Sequence, residues 1–198
     1  MFTYKHYLDT CQKYINENYV FRNLSHVNNQ EEKSIWMVHD CDSFLENALS
    51  LAKKENNINV KSTYFIRLGA RAYNPFSEYY RHIITKIKKL DHDIGLHYEP
   101  SIGKSVKDSI MLFSSLFDFE IKYFNIHEPA RTKIDISKIM PKKNRCYNSN
   151  YFNKIKYISD SGGRWREGCF SEHINRWDQL LVSTHPVWWY EQTPARNY

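Results

Sequence analysis

The sequence predicts an α/β fold built on a parallel sheet, and three observations carry that prediction. Short apolar segments of strand length alternate with segments whose apolar residues recur at helical spacing. Chemically capable side chains cluster at the C-terminal ends of the strand-like segments. A chain of 198 residues without a long linker, repeat or low-complexity tract fits a single domain, residues 1–198, large enough for a sizeable core. Strand-helix alternation implies either a doubly wound sheet or a (β/α) barrel, and seven strands suit a small or incomplete barrel.

The elements follow in order. An amphipathic helix is expected over residues 3–20, from the rhythm of Tyr4 to Tyr19. The first long strand is "SIWMVHDCD", Ser34 to Asp42, apolar until it ends in His39, Asp40, Cys41 and Asp42. Strand alternation puts Trp36, Val38, Asp40 and Asp42 on one face, with Ile35, Met37, His39 and Cys41 on the other. Two carboxylates on one face repel each other unless a metal, a cation or a shared proton offsets them. In "DSFLENALSLAKKENN", Ser43 and Glu46 form a capping box and Phe44, Ala48, Leu51 and Ala52 an apolar stripe, so a helix begins just after Asp42. Strand "STYFIRL" and a loop with Gly, Asn and Pro lead to helix "SEYYRHIITKIKKL", striped by Tyr80, Ile83, Ile84, Ile87 and Leu90. Strand "HDIGLHYE", helix "SVKDSIMLFSSLFD" and strand "IKYFNIH" repeat the beat. Beyond Pro129 the pattern weakens to short strands near Cys146–Asn148 and Ile155–Ser159 and a clearer one at "QLLVSTH".

Composition narrows the function classes. A hydrophobic fraction of 41% and a charged fraction of 25% are those of a globular chain, while 16% aromatic residues suit either an aromatic core or stacking on sugars or bases. The N-terminal stretch has no unbroken apolar run, so neither a secretory leader nor membrane insertion is expected, and the reading is cytoplasmic. Four scattered cysteines, with no Cys-x-x-Cys pair, argue against a zinc knuckle or a disulfide framework. Most of the net charge of +6 falls between Arg131 and Arg145, where six basic residues face one acid. That segment is either a solvated loop or an electropositive rim for an anionic substrate, and no motif for nucleic acid accompanies it.

Polar groups mark one end of the sheet. Asp40 and Asp42 close the first long strand, Arg67 the next, His97 and Glu99 the third and His127 the fourth; Asp160 follows a later one and His185 ends the last. The C-terminal strand ends are where barrels and open α/β sheets gather catalytic groups. Asp, His and a further His or Glu make a ligand set suited to catalytic zinc with an open position. One Asp can coordinate the ion while the other takes a proton from water, and His185 is suited to protonate a leaving amine.

The ordered motifs "HDCD", "DHDIGLHYEP", "FNIHEP", "YISDSGGRWREG" and "LLVSTHPVWW" resemble those of the polysaccharide deacetylase family, in its His-Asp-x-Asp branch, across Ile35 to Trp189. The resemblance implies a distorted, TIM-barrel-like, often seven-stranded (β/α) barrel that removes an N-acetyl group from a sugar with a divalent metal, zinc foremost. It implies Asp40 as general base, Asp42 and His97 as metal ligands, His185 as general acid and Asp160 or a neighbour as the group orienting His185. Trp165, Trp188 and Trp189 are candidates for the sugar pocket.

Two positions depart from the family pattern. Its further ligand His falls on Ser101, so the third ligand comes from elsewhere, His127 first and Glu99 second, or is missing. "HEPAR" stands where the family carries an Arg that steadies the base, a part left to Arg131, Arg67 or Arg164. The expected substrate is an N-acylated sugar, nucleotide- or lipid-linked, on the way to a surface polysaccharide. The alternatives are a hydrolase of another C–N bond, a formamide or cyclic amide, and an inactive carbohydrate-binding protein on the same fold.

Overall fold

The computed structural model describes residues 2–24, 32–129, 131 and 155–192. Helix α1 (Tyr4–Asn16) is followed by strands β1 (Val20–Phe21) and β2 (Ser34–Cys41), helix α2 (Leu45–Asn57), strand β3 (Ser62–Arg67) and helix α3 (Glu78–Lys89). Strand β4 (Asp93–Tyr98), helix α4 (Val106–Ser114) and strands β5 (Phe124–Ile126), β6 (Lys156–Ser159) and β7 (Gln179–Thr184) complete the order. The expected alternation is present, and β6 falls within the predicted 155–159. The strand predicted near Cys146–Asn148 and all but Arg131 of the basic segment lie outside the described residues.

All strand pairings are parallel, in the order β5-β4-β3-β2-β7-β6, with β1 beside the start of β2. The sheet curls into a half-barrel. Among the described residues β5 and β6 are open edges, so the sheet there forms an incomplete barrel, one of the forms the sequence predicts. Strand β2 is central and all eight of its residues are buried, which is why it reads as a nearly continuous apolar run.

Register carries the alternation from strand to strand. Asp40 pairs with Phe65, Arg67 with His97 and His97 with Asn125, so these side chains share the concave face. Trp36, Val38, Phe65 and Leu181 form a small apolar floor on that face. Gly95 is required there, because an added Cβ would lie 2.4 Å from the Phe65 ring. The convex face is covered by helices. Ile35, Met37 and Val182 pack with Tyr7 and Tyr14 of α1. Tyr64, Ile66 and Leu96 pack with Ala48 of α2 and Ile84 and Ile87 of α3. Each such large side chain taken from water contributes about 1.5–3 kcal/mol before entropy is counted.

One local expectation fails. Helix α2 starts at Leu45 behind Phe44, whose φ of 47° is left-handed, and no side-chain cap forms. The chain must turn from Asp42 at the sheet rim into the helix within two residues, and the turn at Phe44 displaces Ser43 from the cap position. Glu46 lies instead beside the Tyr79 and Tyr80 hydroxyls.

Candidate metal centre

The strand ends converge as the sequence predicted. Asp42 follows β2, His97 lies in β4 and His127 follows β5, where its N–H donates to the Tyr98 carbonyl at 2.9 Å. His97 Nε2 and His127 Nδ1 are 3.0 Å apart, and they lie 3.2 and 3.1 Å from Asp42 Oδ1. Three ligand atoms on one ion at roughly 2.0–2.2 Å stand about 3.0–3.5 Å apart, so the triangle fits a common metal. Asp42 Oδ1 is buried and makes no well-formed hydrogen bond, which leaves it an acceptor in need of a cation. Burial opposes ionisation of Asp42, but the His127 and His97 rings beside it outweigh burial and hold the carboxyl far below its ordinary range. One carboxylate and two imidazoles form a set for a borderline divalent ion. His127, the first choice from the sequence ahead of Glu99 or no ligand, is thus the third member of the triangle.

Glu99 is engaged elsewhere. Arg67 Nε and Nη2 donate to its two carboxylate oxygens at 2.8 and 2.6 Å, a bidentate pair at the rim that keeps Glu99 below the usual carboxylate range. Ser101 sits in a 3-10 turn, Pro100–Ile102, on the exposed side of this rim.

Asp40 lies deeper, 7% exposed. Its Oδ1 accepts from the Asn125 amide and its Oδ2 from Ser183 Oγ at 3.3 Å. Asp40 is therefore held by Asn125 and Ser183, where an arginine was expected. Arg67 is bound to Glu99, and exposed Arg131 pairs with Glu128 at 2.9 Å. The Arg164 backbone N–H donates to the Asp160 carbonyl at 3.3 Å.

On the other side stands His185, just past β7. Its Nδ1 meets Asp160 Oδ1 at 2.6 Å and its backbone N–H donates to Oδ2 at 3.2 Å. Trp189 Nε1 donates to the same oxygen at 3.0 Å, so Trp189 belongs to the support of Asp160. Burial disfavours the imidazolium, yet the Asp160 hydrogen bond and charge prevail and raise His185 to about 9. His185 Nε2 points inward, 3.9 Å from Asp40 Oδ2 and 3.8 Å from Asp42 Oδ2.

Two of the predicted pocket residues have defined neighbours. Trp165 packs among Phe2, Phe170 and Trp189. Trp188, half-buried, lies over the Gly163 turn. Asn125 and Ser183 were not singled out by sequence. The signal for Asn125 was present: it is a polar residue inside an apolar strand, two positions before His127 and hence on its face.

Comparison of the chain with protein-family models, with curated proteins and with solved structures finds no match. Among the described residues no helix is long and apolar enough to cross a membrane.

Proposed function

We propose that the protein is a metal-dependent hydrolase that removes an N-acyl group from a sugar, with the half-barrel forming part of a distorted deacetylase-type (β/α) barrel. The observation that carries this reading is the placement of a buried carboxylate, Asp40, and an imidazole, His185, beside the Asp42, His97 and His127 triangle, each within 4 Å of it and of each other. The donor set suits zinc, whose Lewis acidity would polarise the amide carbonyl and acidify the attacking water. Asp40, an acceptor held by two donors, receives a proton from that water. His185 carries its proton at neutral pH, held so by Asp160, and delivers it from Nε2 to the leaving amine. The Arg67–Glu99 pair forms the polar rim over which a sugar enters.

The test is acetate release from N-acetylated sugars and sugar nucleotides by purified protein with zinc restored, run beside formyl and cyclic amides. Asp40→Asn is expected to lower kcat by about 10²–10⁴ with little change in zinc content. Failure to cleave any acyl sugar, or an Asp40→Asn variant of full activity, overturns the reading.

A further inference from the structure

We propose that Asn125 is a positioning residue that couples a metal ligand to the base: its carbonyl fixes the tautomer of His97, and its amide N–H orients Asp40. The inference rests on the metal and base roles given above. Asn125 is 2% exposed in the middle of β5 and makes both contacts with its single side chain. Oδ1 lies 2.6 Å from His97 Nδ1, and Nδ2 donates to Asp40 Oδ1.

The donor and acceptor inventory leaves one arrangement. An ionised carboxylate only accepts, so the amide NH₂ must face Asp40. The amide oxygen then faces His97, and an oxygen only accepts, so His97 Nδ1 must carry the hydrogen. Neutral His97 therefore has its lone pair on Nε2, the atom 3.2 Å from Asp42 Oδ1 and 3.0 Å from His127 Nδ1. A ring fixed this way needs no tautomer change to bind an ion, and the outer hydrogen bond of a ligating imidazole is typically worth 10–100-fold in metal affinity. The same amide ties Asp40 in β2 to His97 in β4, two residues that pair with different neighbours in the sheet. Base and ligand thus keep one spacing. His97 Nδ1 lies 3.9 Å from Asp40 Oδ1 with the amide bridging them.

Two substitutions separate the two contacts in the full chain. Asn125→Asp keeps an acceptor for His97 but places a like charge beside Asp40. Asn125→Ala removes both contacts, and Asn125→Leu replaces it if the alanine variant does not fold. Zinc titration is expected to show Asn125→Asp within about threefold of wild type and Asn125→Ala weaker by 10–100-fold. Ring nitrogen NMR of metal-free protein is expected to show His97 protonated on Nδ1 in wild type and as a mixture in Asn125→Ala. Both variants should lose kcat with little change in KM.

Equal zinc affinity in wild type and Asn125→Ala, or an Nε2-protonated His97 in wild type, overturns the proposal. If wild type hydrolyses acyl sugars but the two variants bind zinc alike, the positioning role falls and the hydrolase reading stands. If the zinc and tautomer results appear as expected while no amide is cleaved, the hydrolase reading falls and the positioning of His97 stands. A wild type that binds no zinc removes the metal role, and the ring tautomer then decides the His97 contact alone.

Discussion

Each face of β2 has a carboxylate among histidines beside it, and the two differ in burial and in what they have left to bind. On the convex face Glu55 is fully buried and accepts from His39 Nε2 at 2.9 Å, Ser62 Oγ at 2.6 Å, Tyr64 Oη at 2.7 Å and the Tyr7 hydroxyl. His39 in turn meets Thr184 Oγ1 at 2.7 Å. On the concave face Asp42 is 25% exposed, and its Oδ1 has two imidazole nitrogens near it and no well-formed hydrogen bond. A carboxylate saturated by donors and sealed from water can only tie elements together, whereas one with an unused acceptor at an open rim can take an ion or a ligand. The convex cluster joins α1, α2, β2, β3 and β7, one residue behind Asp40 and His185. His39, which strand alternation turned away from the acids, belongs to it.

Paired substitutions test that division most strongly. Asp42→Ala is expected to weaken zinc binding well beyond the roughly 10–100-fold that outer contacts control, with modest loss of stability. Glu55→Ala should do the reverse and cost about 3–5 kcal/mol of stability, because it leaves His39, Ser62, Tyr64 and Tyr7 without their acceptor. Denaturant melts and zinc titrations on both variants decide the matter. A tenfold loss of zinc affinity in folded Glu55→Ala would show that the faces are coupled through His39 and Thr184.

A smaller effect of opposite sign on the two faces is expected from pH in the metal-free protein. Burial opposes ionisation of Glu55, yet His39, His92 and the Ser62 hydroxyl lower it from 4.5 to about 2. Its contribution, on the order of 3 kcal/mol, is present above pH 4.5 and is lost as pH falls through about 2. His185 is raised from 6.5 to about 9, so its contribution is present below pH 6.5 and is lost as pH rises through about 9. Stability measured with a chelator present should therefore fall on both sides. Glu55→Gln should flatten the acid limb alone and His185→Gln the alkaline limb alone; a shared response would erase the distinction. The smallest change belongs to neither face. Arg131→Ala removes an exposed pair with Glu128 and should shift stability by less than about 0.5 kcal/mol.

Much of the site was legible because it follows from short-range rules. Alternation along β2 put Asp40 and Asp42 on one face, and strand ends collected His97, His127, Asp160 and His185. Glu55 was also within reach: it follows Ala48, Leu51 and Ala52 at helical spacing, although "KKENN" reads as a charged surface. The failed capping box shows the limit of local rules, since the rim geometry at Phe44 overrode a favourable tetrapeptide. Arg67 and Glu99 were placed at the correct end of the sheet, but only the fold shows them bound to each other.

By itself the sequence determined the alternation of strands and helices, the polarity of each face and the end of the sheet where chemistry gathers, because these depend on spacings of two to four residues. Tertiary structure decided between His127 and Glu99 for the triangle and between Asp160 and its neighbours for His185, and it alone showed that Asn125 reaches Asp40 across 85 positions of chain. Those contacts depend on strand register and sheet curl, which bring together residues that no local periodicity relates.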